Sequence, residues 1–115
     1  MEIRPVTQDD IVAVYGRPLP FTVRGFAGVL DEEVIGVAGI MFARPPQAFC
    51  KFTIELKPYR RELIRGIRML RKLLNEQAVP VYATPDEDAK ETADGFLKFV
   101  GFKATEQMGV YVWHH

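Results

Sequence analysis

The chain has 115 residues, 48% of them hydrophobic and 26% charged, with 15 basic residues balancing 15 acidic ones. That length supports a single globular domain over residues 1–115 with a core of its own, and zero net charge argues against a protein that coats nucleic acid. Cys50 is the one cysteine and serine is absent, which excludes an internal disulfide and every serine-nucleophile mechanism; with only His114 and His115 beside that thiol, no metal is expected.

In chain order, residues 1–6 read as a short strand. Thr7 is placed to cap a helix whose positive end is favoured by Asp9 and Asp10, and Gly16, Pro18 and Pro20 stop that helix within about two turns. Residues 21–30 and 34–42 flank the acidic turn Asp31, Glu32, Glu33 as a hairpin; the second strand is apolar on both faces and therefore central. This apolar run is far shorter than the roughly 20 residues of a membrane-spanning helix, and the first residues do not form a secretory leader. A soluble, cytoplasmic protein with no membrane partner is expected.

After Pro45 and Pro46, residues 48–56 alternate: Ala48, Cys50, Phe52, Ile54 and Leu56 share one face, and Lys51, Thr53 and Glu55 the other, as in a half-buried strand. The period then changes. From residue 60 to 75, Leu63, Ile67, Leu70 and Leu74 form an apolar helical stripe and Arg61, Arg65, Arg68 and Lys72 a basic one. Residues 79–83 form a short strand, and Thr84, Pro85, Asp86, Glu87 make a capping box that opens an acidic helix ending near Gly101. Residues 102–104 and 108–113 close the chain as two strands around a turn at 105–107. Charge is segregated: residues 57–72 hold seven basic side chains against Glu62, and residues 86–94 hold five acidic ones against Lys90.

Two segments carry a family likeness. Leu56, Lys57, Pro58, Tyr59, Arg60, Arg61, Glu62, Leu63, Ile64, Arg65 and Gly66, with Met69 and Leu70 beyond, resemble the coenzyme A motif of the GNAT superfamily of N-acetyltransferases. That motif passes from a strand end through proline and Arg-x-x-Gly-x-Gly into a helix. Arg61 falls on its arginine and Gly66 on its last glycine, while Ile64 replaces the first glycine. Ala93 to Phe102 resembles the family's Ala-x-x-x-Tyr-x-x-x-Gly-Phe helix end: Ala93, Gly101 and Phe102 fit. Leu97 replaces the tyrosine that in many members protonates the departing thiolate, and Lys90 stands where an asparagine is common. Residues 30–39 also resemble the family's second hairpin, so the likeness runs in order along nearly the whole chain.

The resemblance implies an α/β, GNAT-like fold: a mixed, mostly antiparallel central sheet flanked by helices in the order βαβββαβαββ. It implies acetyl-CoA as cosubstrate and an amine of a small molecule or protein as acceptor. Free amides at a helix start suit a pyrophosphate, so the residues carried over to coenzyme binding are Ile54, Leu56, Arg60, Arg61, Glu62, Leu63, Ile64, Arg65, Gly66 and Lys90, with the arginines adding charge-assisted contacts. Glu55 and Tyr82 are the candidates for taking a proton from the amine, against the plainer readings of a solvent-side strand residue and a core or rim aromatic. Cys50 reads as a buried small hydrophobe, and the two terminal histidines as a loose tail.

Two other classes compete with an enzyme. One is a catalytically inactive binding or assembly module of the phage-associated kind, favoured by Leu97, Ile64 and a short acceptor region. The other is a nucleic-acid binder using the arginine stripe, disfavoured by the zero net charge and the acidic segment. A homodimer is compatible with either leading reading.

Overall fold

The computed structural model describes residues 1–54, 57–84, 97, 98 and 100–114. It begins with strand β1 (Glu2–Pro5) and a capping box. The Thr7 hydroxyl accepts from the Asp10 amide at 3.2 Å while the Asp10 carboxylate accepts from the Thr7 amide at 2.9 Å, which starts helix α1 (Gln8–Tyr15). Gly16 ends it in the left-handed region at φ 82, its amide donating to the Val12 carbonyl at 2.8 Å.

Strands β2 (Val23–Leu30) and β3 (Glu33–Met41) are joined by the two-residue turn Asp31–Glu32, both at positive φ, as the right-handed twist of a tight hairpin requires. Strand β4 (Gln47–Phe52) returns antiparallel to β3. A single 3-10 turn, Lys57–Tyr59, leads into helix α2 (Arg60–Asn75), which covers the residues where the sequence period changes to 3.6. Strands β5 (Val81–Ala83), β6 (Lys103–Ala104) and β7 (Tyr111–Trp113) complete one sheet in the order β1-β2-β3-β4-β5-β7-β6. Every neighbouring pair is antiparallel except β4 with β5.

The main core lies between α2 and one sheet face. Ile67, Leu70, Leu73 and Leu74 meet Ile40, Val81, Ala83, Tyr111 and Trp113, with Leu97, Val100 and Phe102 closing the side. At about 1.5–3 kcal/mol for each fully buried large apolar side chain, this stripe is what fixes the helix to the sheet. On the opposite face Val14 of α1 packs against Ala27 and Val37, with Phe49 and Val34 at the margin.

The structure corrects the expected fold. In place of an α/β architecture with several flanking helices, the described residues form a seven-stranded mixed sheet carrying two short helices, and the fold is mostly β. The physical reason is that the matched motifs sit at element ends. Proline, arginine and Gly-Phe fix where the chain turns, not how much of a sheet is covered, and the Gly16–Pro20 breaks leave α1 only eight residues long. The expected acidic helix lies outside the described residues except for its last turn. There Leu97, Lys98 and Val100 are helical, and the amides of Gly101 and Phe102 both donate to the Leu97 carbonyl, at 3.1 and 2.9 Å. Among the described residues no helix is long and apolar enough to cross a membrane.

Candidate functional site

Strand β4, helix α2 and strand β5 form a βαβ unit, the one place in the described sheet where two neighbours run parallel. Their pairing is brief: Gln47 faces Tyr82 and Ala48 faces Ala83, and β5 then ends while β4 runs on to Phe52. The register with β3 shows which backbone groups of β4 look toward the β5 side. The Thr53 amide donates to the Ile35 carbonyl at 2.8 Å, and the pairs 36 with 52 through 41 with 47 follow without a bulge. Odd-numbered residues of β4 therefore turn their backbone groups toward β3, and even-numbered ones turn theirs toward β5. The Tyr82 amide obeys this alternation by donating to the Pro46 carbonyl at 3.0 Å. Two residues further on from Ala48, the backbone of Cys50 faces the side where β5 has already ended.

Beyond Phe52 the strand leaves its expected course. The Thr53 amide and hydroxyl both donate to the Ile35 carbonyl, at 2.8 and 3.1 Å, and the chain bends at Thr53 and Ile54, so that β4 ends at Phe52. The 3-10 turn Lys57–Tyr59 ends at Tyr59, the N-cap of α2. Tyr59 contributes no side-chain hydrogen bond to the cap. Glu62 is the one acid in the first turn, and it is half-buried toward β1 and β2. Arg60, Arg61 and Arg65 are exposed and pair with no acid among the described residues, whose ion pairs are Arg4 with Asp10 and Arg24 with Glu76. Among the described residues, this end of the helix thus combines a positive macrodipole end, first-turn amides that Tyr59 does not cap and three guanidinium groups with no acid partner.

The remaining carried-over residues divide. Leu63 packs on the main core, while Ile64 is 44% exposed and extends the arginine face outward. Gly66, half-buried, meets nothing within 4 Å of where a Cβ would stand. It lines an apolar slot between α2 and the sheet, with Ile3, Phe26, Phe52, Tyr59 and Leu63; the slot encloses about 60 Å³. Glu55, Leu56 and Lys90 lie outside the described residues.

Tyr82 is not beside the helix start. Val81 and Ala83 point into the α2 core, so Tyr82 between them points to the opposite sheet face, where it is half-buried among Gln47, Thr84, Val112 and His114. Sequence reasoning passed over its neighbours: Thr105, Glu106 and Gln107 read as a plain turn and His114 as a tail, and only the strand pairing brings them beside Tyr82. Cys50 lies on the α2 face opposite Ala38, half-buried, and desolvation pushes its thiol above the ordinary range, which disfavours the thiolate. Leu97, where the family resemblance places a proton donor, is 6% exposed inside the main core.

No family model, no curated protein and no solved structure matches the chain.

Proposed function

We propose that the chain binds a coenzyme A thioester at the junction of β4 and α2 and transfers its acetyl group to an amine. One observation carries this reading: the pairing of the two parallel strands stops at Ala48 and Ala83 beside a basic helix start whose N-cap residue, Tyr59, makes no side-chain cap bond. In open sheets the crevice beyond the carboxyl ends of parallel strands is where nucleotides lodge, and a helix start is where their phosphates are neutralised. Arg60, Arg61 and Arg65 supply charge for the diphosphate. The opened flank of β4 gives the pantetheine arm an extended backbone to lie against.

Chemistry at the gap needs little from the protein. The amine nitrogen attacks the thioester carbonyl carbon, the C–S bond breaks, and coenzyme A leaves as a thiolate that takes up the proton lost by the amine. A backbone amide turned into the gap, such as that of Cys50, stabilises the oxyanion. Tyr82 sits one rung from the last paired residues, on the sheet face away from α2, and is the candidate phenol for relaying that proton. The test is release of free thiol from acetyl-CoA in the presence of a panel of primary amines. Release that depends on an amine, and that disappears when Arg61 and Arg65 are both changed to Ala, supports the reading; no release and no coenzyme binding sinks it.

A second reading rests on Leu97. A core leucine where the resemblance calls for a proton donor favours a module that binds the coenzyme without turning it over. Coenzyme binding without thiol release is its signature.

A further inference from the structure

The apolar slot between α2 and the sheet runs from Phe52 on β4 across Gly36 on β3 to Gly28 on β2, with Leu63 and Gly66 of α2 facing them. It encloses about 60 Å³, several times the roughly 10–15 Å³ that a water molecule occupies. A buried water also needs two to four polar partners. Among the described residues the side chains of the lining are apolar save for Tyr59 and Glu62, so the slot is a poor place for water.

Two glycines keep this space open, and the backbone asks for neither. Among the described residues, Gly16, Gly101 and Gly109 have a positive φ. A Cβ on Gly25 or Gly39 would strike the backbone of the facing strand, and one on Gly36 would strike the ring of Phe52. Gly28 and Gly66 differ on both counts. Neither has a positive φ, and the shift in register after Gly28 draws on no left-handed conformation. A Cβ on Gly28 would touch the Met1 sulfur at 3.5 Å, an ordinary contact, and one on Gly66 would meet nothing within 4 Å. Glycine inside a strand or a helix weakens that element, and alanine at either position would strengthen the fold. These two glycines stand on the sheet wall and the helix wall of the same slot.

We infer that the slot is a binding site for the short alkyl end of a small molecule, and that Gly28 and Gly66 are there to admit it. Size sets the class of ligand. An apolar cavity of about 150 Å³ encloses one benzene, so the 60 Å³ of this slot encloses roughly two or three saturated carbons and is too small for an aromatic ring. Polarity sets the rest. Hydrocarbon gains dispersion contacts with Phe52, Leu63 and the glycine backbones and leaves no polar group unpaired, while the ligand's polar end stays outside, since the slot is partly open to solvent. The site needs no coenzyme and stands apart from the transferase reading.

The test is a titration of the full chain, without coenzyme, by ethanol, 1-propanol, 1-butanol, 1,4-butanediol and benzyl alcohol, read by backbone amide shifts in two-dimensional NMR. The amides of Gly28, Gly36 and Gly66 should move with 1-butanol, and affinity should rise about fourfold for each carbon from ethanol to 1-butanol. The diol and benzyl alcohol should leave those amides in place. Ile3→Ala, which widens the sheet wall, should let benzyl alcohol in. The double variant Gly28→Ala, Gly66→Ala should lose 1-butanol and melt no lower than wild type, because its two methyl groups take the open space. Glycine amides unmoved by 1-butanol, benzyl alcohol binding wild type as well as 1-butanol does, 1-butanol retained by the double variant, or a lower melting temperature for that variant would each overturn the inference. A separate coenzyme A titration keeps the two readings apart: alkyl binding without coenzyme binding removes the transferase reading and leaves this site standing.

Discussion

Arg4 holds Asp10 with both terminal nitrogens, each 2.7 Å from a carboxylate oxygen, and the same carboxylate accepts the Thr7 amide. The first strand is thereby tied to the first helix through one buried acid, 4% exposed. Removing the carboxylate leaves a guanidinium and an amide without their acceptor, so Asp10→Ala should destabilise by about 2 kcal/mol. Its pH signature follows from sign. The Arg4 hydrogen bond, opposed by desolvation and helped by Thr7, lowers the Asp10 pKa below its unfolded value. A depressed carboxyl contributes stability above the unfolded pKa and loses it as pH falls through the folded one. In thermal melts the gap between wild type and Asp10→Asn should stay constant near neutrality and shrink below about pH 4; a gap that widens on acidification contradicts the assignment.

Gly25 and Gly39 face each other across β2 and β3, and each backbone occupies the space of the other's missing side chain. A Cβ on Gly25 would collide with the Ala38 carbonyl oxygen, and one on Gly39 with that of Arg24. Neither obstacle is a flexible side chain, so Gly25→Ala and Gly39→Ala should each cost about 2–3 kcal/mol by urea unfolding. Gly66→Ala is the contrast. With open space at its Cβ in the interior of α2, it should stabilise by about 1 kcal/mol through helix propensity alone.

Cys50 offers a check on the packing between β4 and α2. Because burial raises its thiol pKa, little thiolate exists at pH 8 in the folded chain. Labelling by a thiol-specific reagent should be slow in buffer and fast after denaturation in guanidinium. Fast labelling of the native protein would mean that the strand lies open on the α2 side.

How much of this could be read from residues alone depends on where the signal lies. The stripe of Leu63, Ile67, Leu70 and Leu74 dictates α2 because a 3.6 period has one physical meaning at that length, and Gly16 ends α1 because a left-handed residue is cheap only there. The alternation of residues 48–56 ran past the end of β4 at Phe52: the chain bends at Thr53 and Ile54, where the Thr53 hydroxyl adds a second bond to the Ile35 carbonyl that the Thr53 amide meets in ladder register. That partner is distant in sequence and leaves no local mark. Helix coverage failed for a related reason: motif residues at element ends say nothing of how many elements lie on a sheet face. The surroundings of Tyr82 were hidden too, because Gln47, Glu106 and His114 become its neighbours only through long-range pairing.

The most direct test of the central claim is calorimetric titration of coenzyme A into the wild-type chain and into the double variant Arg61→Ala, Arg65→Ala, with pantetheine as a ligand that lacks the diphosphate. If the start of α2 is the phosphate site, coenzyme A binds wild type, pantetheine binds at least about tenfold more weakly, and the double variant loses the difference. Equal affinity of wild type and double variant for coenzyme A would contradict the account.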